Sequence, residues 1–347
     1  MKNVESPSYF YVQACRKKSI CREGLSERME EEIMEVMMQI VLLALGFVLL
    51  VKGADWFVEG ASRVAEKFGI PQLVIGLTIV AMGTSLPEAA VSVSAALKGS
   101  AEITIGNIVG SNIMNILLIL GLTAVITPIA VQKTTVKYEI PFVILVTGIL
   151  LALGCTGDRM LRLSDGMILW AFMLGYLGYL FVISKKGSGL QEETADEEKP
   201  MPVWKMLGLI LLGGVMIVVG SDVAVDAATA LAKIFGMSER LIGLTIVAFG
   251  TSLPELVTSV TAAIKGKADI AVGNIVGSNI FNILFVVGTS ALITPVAYAP
   301  EFLIDGIVCI AAAVLLWICV FKNKRLGRLG GAMMLLGYAG YFVYLMR

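Results

Sequence analysis

Gly76–Ala96 reads GLTIVAMGTSLPEAAVSVSAA, and Gly243–Ala263 reads GLTIVAFGTSLPELVTSVTAA. Sixteen of the 21 positions are identical at a fixed offset of 167 residues. A second pair keeps that offset: Gly106–Leu122 is GNIVGSNIMNILLILGL and Gly273–Thr289 is GNIVGSNIFNILFVVGT, identical at 12 of 17 positions. Pro128 and Pro295 match, as do Asp55 and Asp222, and each half closes on a related motif, GYLGY at Gly175–Tyr179 and GYAGY at Gly337–Tyr341. The chain is a duplication.

Composition says what kind of unit is duplicated. Of 347 residues, 57% are hydrophobic and 16% charged, and the mean hydropathy is +0.86. Soluble domains carry about 25% charged residues. An all-α polytopic membrane protein is the class that fits. Lys and Arg balance Asp and Glu at 27 each, which leaves no bulk charge for nucleic acid. The absence of histidine excludes His-based catalysis and His-ligated zinc or haem. The five cysteines form no CxxC pair, so no disulfide framework or zinc knuckle is indicated. No motif of an intramembrane enzyme is present and no cofactor is implied; the chain reads as a non-enzyme. Its 36 glycines suit close-packed helices in lipid.

Ten stretches are long and apolar enough to span a bilayer: about 34–58, 71–97, 102–126, 138–155, 166–184, 204–228, 239–264, 269–293, 301–321 and 328–346. They divide the chain into an extension expected to be disordered (1–33), a first five-helix repeat (34–184), an acidic linker (185–203) and a second five-helix repeat (204–347). Fourteen Lys and Arg residues fall on one set of loops, against six on the other. The positive-inside bias then makes the linker cytoplasmic and puts both termini outside, in a multi-pass inner (plasma) membrane protein. Five spans separate equivalent helices. An odd number makes the second copy enter from the opposite side, so the expected architecture is two inverted repeats whose matched segments meet near the midplane.

Between Lys67 and Lys98 the sole charged residue is Glu88; between Arg240 and Lys265 it is Glu255. A carboxylate at that depth costs about 2.5–3.5 kcal/mol on insertion scales. No Lys or Arg in these spans can offset it. Protonation or a bound cation remain, and two protonated glutamates bonded across a helix contact is one reading; two facing carboxylates holding a cation is the other. In GTSLPE, Pro87 and Pro254 remove a backbone donor just before each carboxylate, so the helix should unwind or kink there. The freed carbonyls must line a polar cavity or an ion. Thr84, Ser85, Thr251 and Ser252 add hydroxyls. In GNIVGSNI(M/F)N, Asn107, Ser111 and Asn115 share one helix face, as do Asn274, Ser278 and Asn282. All of these are hard oxygen donors, the kind Ca2+ and Na+ take.

These motifs resemble the two alpha-repeats of the sodium/calcium exchanger family, within the cation/calcium antiporter superfamily. The resemblance runs from about residue 34 to the C-terminus, and the short linker makes it similar to the compact prokaryotic members. It implies alternating-access exchange of about three Na+ for one Ca2+, with those ions and the bilayer as the partners. By motif position it implies Glu88 and Glu255 as central Ca2+ ligands with the carbonyls of Thr84 and Thr251. It assigns the Na+ sites to the carbonyls of Ala81 and Ala248 and to Ser85, Ser252, Ser111 and Ser278, and the centre to Asn115 and Asn282. Some relatives, notably the potassium-dependent exchangers, carry Asp where this chain has Asn282. Asn in both halves argues against K+ co-transport and leaves a central charge of −2. The alternatives are a Ca2+/H+ antiporter and a passive cation channel.

Overall fold

The computed structural model describes the backbone of residues 7–98, 102–187, 201–237 and 248–346, and the side chains of 33–98, 103–185, 201–237 and 249–346. The first half comprises α1 (Pro7–Phe68), α2 (Gln72–Thr84), α3 (Leu86–Leu97), α4 (Ile103–Ile126), α5 (Thr135–Cys155) and α6 (Leu163–Gly187). The second comprises α7 (Val203–Ile234), the short α8 (Ala248–Thr251), α9 (Leu253–Ile264), α10 (Ala268–Ile293), α11 (Phe302–Phe321) and α12 (Arg328–Leu345). Among the described residues, seven helices are long and apolar enough to cross a bilayer, and the bent pair α2–α3 makes an eighth.

The backbone of α1 is helical from Pro7. Gly24 is the sole strong helix breaker between Ser8 and Ile33, so nothing local stops the helix. Residues 188–200 of the linker and residues 239–247 of the expected seventh span lie outside the described residues.

Of an apolar 18-residue stretch in each helix, 94% is buried in α10 and 78% in α4, against 11% in α1, so α4 and α10 form the centre of the bundle. One side of α1 presents Met34, Met37, Val41, Leu45 and Val48 outward. That much exposed apolar surface suits lipid. The opposite side of α1 packs on α7 through glycine. A Cβ on Gly53 would stand 2.8 Å from the Gly213 carbonyl oxygen, and one on Gly213 would stand 2.7 Å from that of Gly53. Gly220 meets Gly46 in the same way at 2.8 Å. The helices run antiparallel, and the contact is reciprocal: adding 167 to Gly46 and Gly53 gives Gly213 and Gly220. Only a missing side chain lets the two backbones approach this closely.

Two short antiparallel pairs tie the halves at the loops. β1 (Ile129–Ala130) pairs with β4 (Arg325–Leu326), and β2 (Met160–Leu161) pairs with β3 (Val296–Ala297). β1 and β3 are equivalent at the 167 offset, so each copy lends one strand to each pair.

Candidate ion-binding site

The GTSLPE segments break their helices as the prolines dictate. After Thr84 the backbone leaves the helical region at Ser85 (φ −85°, ψ 7°), and α3 restarts with Pro87 in its first turn, 51° off the axis of α2. There the missing N–H costs nothing, since first-turn donors have no partner within the helix. Ser252 repeats this (φ −94°, ψ 4°) between α8 and α9. Each break leaves a glutamate in the first turn of a new helix, where the helix dipole favours a negative charge.

Both carboxylates are fully buried. Glu88 Oε1 accepts from Ser111 Oγ (3.1 Å) and from Ser252 Oγ (3.3 Å); Ser111 and Ser252 also touch at 2.9 Å. Glu255 Oε1 accepts from Ser85 Oγ (2.8 Å) and Ser278 Oγ (3.5 Å), and Ser278 Oγ also reaches the Ala81 carbonyl at 3.4 Å. Each carboxylate is therefore served by one serine from its own half and one from the other. Neither has a basic partner among the described residues.

Asn115 and Asn282 are oriented by two asparagines, Asn112 and Asn279, that lie off the polar face shared by positions 107, 111 and 115. Asn115 Nδ2 donates to Asn279 Oδ1, and Asn282 Nδ2 to Asn112 Oδ1, each at 3.1 Å. Asn112 and Asn279 in turn each donate to the other's backbone carbonyl at 3.2 Å. This clamp commits both amide groups and turns both Oδ1 atoms away. These glutamates and asparagines leave four buried oxygens without a hydrogen-bond partner: Glu88 Oε2, Glu255 Oε2, Asn115 Oδ1 and Asn282 Oδ1. They form two pairs related by the 167 offset, and all four are acceptors. Buried acceptors with no donor are costly unless a cation supplies the missing charge. A π turn begins at each asparagine, Asn115–Leu120 and Asn282–Val287, a feature often found at functional sites.

The remaining predicted residues divide. Thr84 Oγ1 donates to Asn274 Oδ1 (2.9 Å), with the Val80 carbonyl as a second acceptor in reach (3.2 Å). Thr251 is half-buried and faces a cavity. Ala248 lies in α8, its side chain outside the described residues. Sequence reading missed Ser221, whose Oγ donates to the Gly250 carbonyl at 2.9 Å and ties α7 to the GTSLPE segment of the second half. The sole hint is its place beside Asp222; the matching position in the first copy is Ala54.

One cavity borders both GTSLPE segments. A cavity of about 530 Å3 lies between α3 and α7, lined by Pro87, Val91, Asp222 and Asp226 and ending on Gly250 and Thr251. The equivalent space at the other end is closed by α1. Lys265 Nζ sits 2.7 Å from Asp55 Oδ1 and 3.9 Å from Glu59 Oε2, and donates to the Asp55 carbonyl at 3.0 Å. The matching residues, Lys98, Asp222 and Asp226, form no ion pair with one another among the described residues.

Against known families, residues 38–184 and 205–347 match the sodium/calcium exchanger protein family. The chain belongs to the sodium/calcium exchanger family. This exchanger is 31% identical to the sodium/calcium exchanger MaX1 of Methanosarcina acetivorans, over 89% of its own length and 99% of the relative. It is 38% identical to the inner membrane protein YrbG of Escherichia coli, over 89% and 96%. Among solved structures it is similar to the sodium-calcium exchanger NCX_Mj, with a TM-score of 0.77 and 34% identity over 89% of this chain and 99% of that one. The exchanger is thus a membrane-embedded cation/calcium antiporter of the compact prokaryotic type. Both of its GTSLPE and GNIVGSNI copies lie inside the matched segments.

Proposed function

We propose that the chain exchanges Na+ for Ca2+ by alternating access, about three Na+ per Ca2+, through ten helices arranged as two inverted five-helix repeats. The observation that carries the reading is the set of four unpartnered acceptor oxygens, two carboxylate and two amide, facing no base. Their two formal negative charges neutralise one Ca2+. Several Na+ compete for the same oxygens, with the serine hydroxyls and the Ala81 and Ala248 carbonyls as further ligands and the carbonyls of Thr84 and Thr251 beside the glutamates. Shared ligands make occupancy by the two ion species mutually exclusive, which couples their movements.

The inverted plan is supported by the antiparallel contact of the equivalent helices α1 and α7 and by the exchange of strands between the halves. With the linker cytoplasmic, the cavity between α3 and α7 faces outward, and the Lys265 contact closes the cytoplasmic end in the inner membrane. Uptake of 45Ca into vesicles with and without an outward Na+ gradient tests the reading, using Glu88→Gln and Glu255→Gln beside the parent. Na+-driven uptake lost in both variants supports it. Uptake driven by a pH gradient alone would select a Ca2+/H+ antiporter, and unchanged uptake in both variants would refute the site.

A further inference from the structure

Lined by none of the ion-site residues, a cavity of about 500 Å3 lies between α5 and α6, among Tyr138, Glu139, Phe142, Phe172, Tyr176 and Tyr179. Glu139 is 1% exposed, so it joins Glu88 and Glu255 as a buried acidic group. Its Oε1 accepts a hydrogen bond from Tyr179, the last residue of the GYLGY motif. Its Oε2 has no partner, and neither does the buried Tyr176 hydroxyl. The second half carries the corresponding pair, Asp305 with Tyr341 of GYAGY at 3.0 Å. Of these two carboxylates, Glu139 alone has a buried oxygen without a partner among the described residues.

The walls of the cavity select a cation. Phe142 and Tyr176 stack at 5.4 Å, and Tyr176 and Tyr179 at 6.4 Å. Aromatic faces beside a carboxylate attract an ammonium group. The two orphaned oxygens ask further for hydrogen-bond donors, which a primary ammonium has and a quaternary one lacks. The ligand must come from the bilayer, because the same helices present Leu174, Phe181 and Leu145 outward. Glu139 lies about 6 Å of helix rise from the start of α5, near headgroup depth. Two residues away, Lys137 rests its Nζ 5.1 Å from the centre of the Tyr138 ring, a positive charge within reach of a phosphate.

From the orphaned oxygens and the aromatic walls we infer a lipid site that takes the zwitterionic headgroup of an ethanolamine phospholipid, its ammonium on Glu139 and Tyr176 and its phosphate on Lys137. Native mass spectrometry of the purified, delipidated full chain tests this by titration with phosphatidylethanolamine and phosphatidylcholine of the same acyl chains. The ethanolamine lipid should be retained about tenfold more tightly, as expected for hydrogen bonds to a charged group. Glu139→Gln and Tyr176→Phe should each abolish that preference, while Na+-driven 45Ca uptake after reconstitution reports that both variants are folded. Equal retention of the two lipids by the parent would overturn the inference, as would an unchanged preference in Glu139→Gln. Loss of the preference in Tyr176→Phe alone counts as support if Glu139→Gln proves unfolded.

Discussion

Neutralising Lys265 should open the end of the protein that it closes. Its ammonium makes three contacts with α1, at 2.7, 3.0 and 3.9 Å. Lys265 is 28% exposed and its partners Asp55 and Glu59 are 40% and 36% exposed, so water screens part of the attraction. Exposed pairs contribute up to about 1 kcal/mol, and hydrogen bonds to charged groups about 1.5–3 kcal/mol. A value of about 1–2 kcal/mol follows for the cluster, which is about 5–30-fold in the ratio of the two facing states. The assay uses Thr258. It is fully buried, whereas its equivalent at the 167 offset, Val91, lines the open cavity. In a background without native cysteines, Thr258→Cys should react with a charged maleimide about 5–30 times faster when Lys265→Met is added. Lys98→Met should slow the same reaction, because Lys98 is placed to make the mirror contact with Asp222 once the other end closes. Labelling of Cys at 258 that stays within about twofold of the Lys265 parent would refute the latch.

Asn282→Asp should lower thermal stability by about 1–3 kcal/mol, because the carboxylate cannot donate to Asn112 Oδ1 and adds a like charge to the site; Ca2+ should restore it in a thermal-shift measurement. Ser85→Ala removes a donor to Glu255 Oε1 made at 2.8 Å, and should move the Na+ concentration for half-maximal exchange about tenfold. Gly213→Ala should destabilise the protein by about 1–3 kcal/mol and slow exchange, since its new methyl would stand 2.7 Å from a carbonyl of α1. Gly208→Ala on the same helix, with no neighbour in reach, should leave melting temperature and exchange unchanged.

The glutamates were legible because a lone charge in a long apolar run has few physical explanations, and the repeat doubled that signal. The helix breaks were legible for the same local reason, a proline directly before each acid. The asparagine clamp was not. Asn112 and Asn279 lie off the face shared by positions 107, 111 and 115, and their value appears only when two helices distant in sequence cross. Nor do the π turns at Asn115 and Asn282 have a local signature, since a widened turn depends on what packs against it. Which end stands open was also invisible: two halves built on the same pair of motifs encode both facing states. The bias must come from positions where the copies differ, such as Ser221 against Ala54.

The two strand pairs have a mechanical consequence. By joining the α4–α5 loop to the α11–α12 loop, and the α5–α6 loop to the α10–α11 loop, they rivet the copies together at both ends. Neither rivet includes α1 or α7. In the proposed exchange cycle the central helices are the part held fixed, and the glycine-faced pair, tied to them by side-chain contacts alone, is the part that moves.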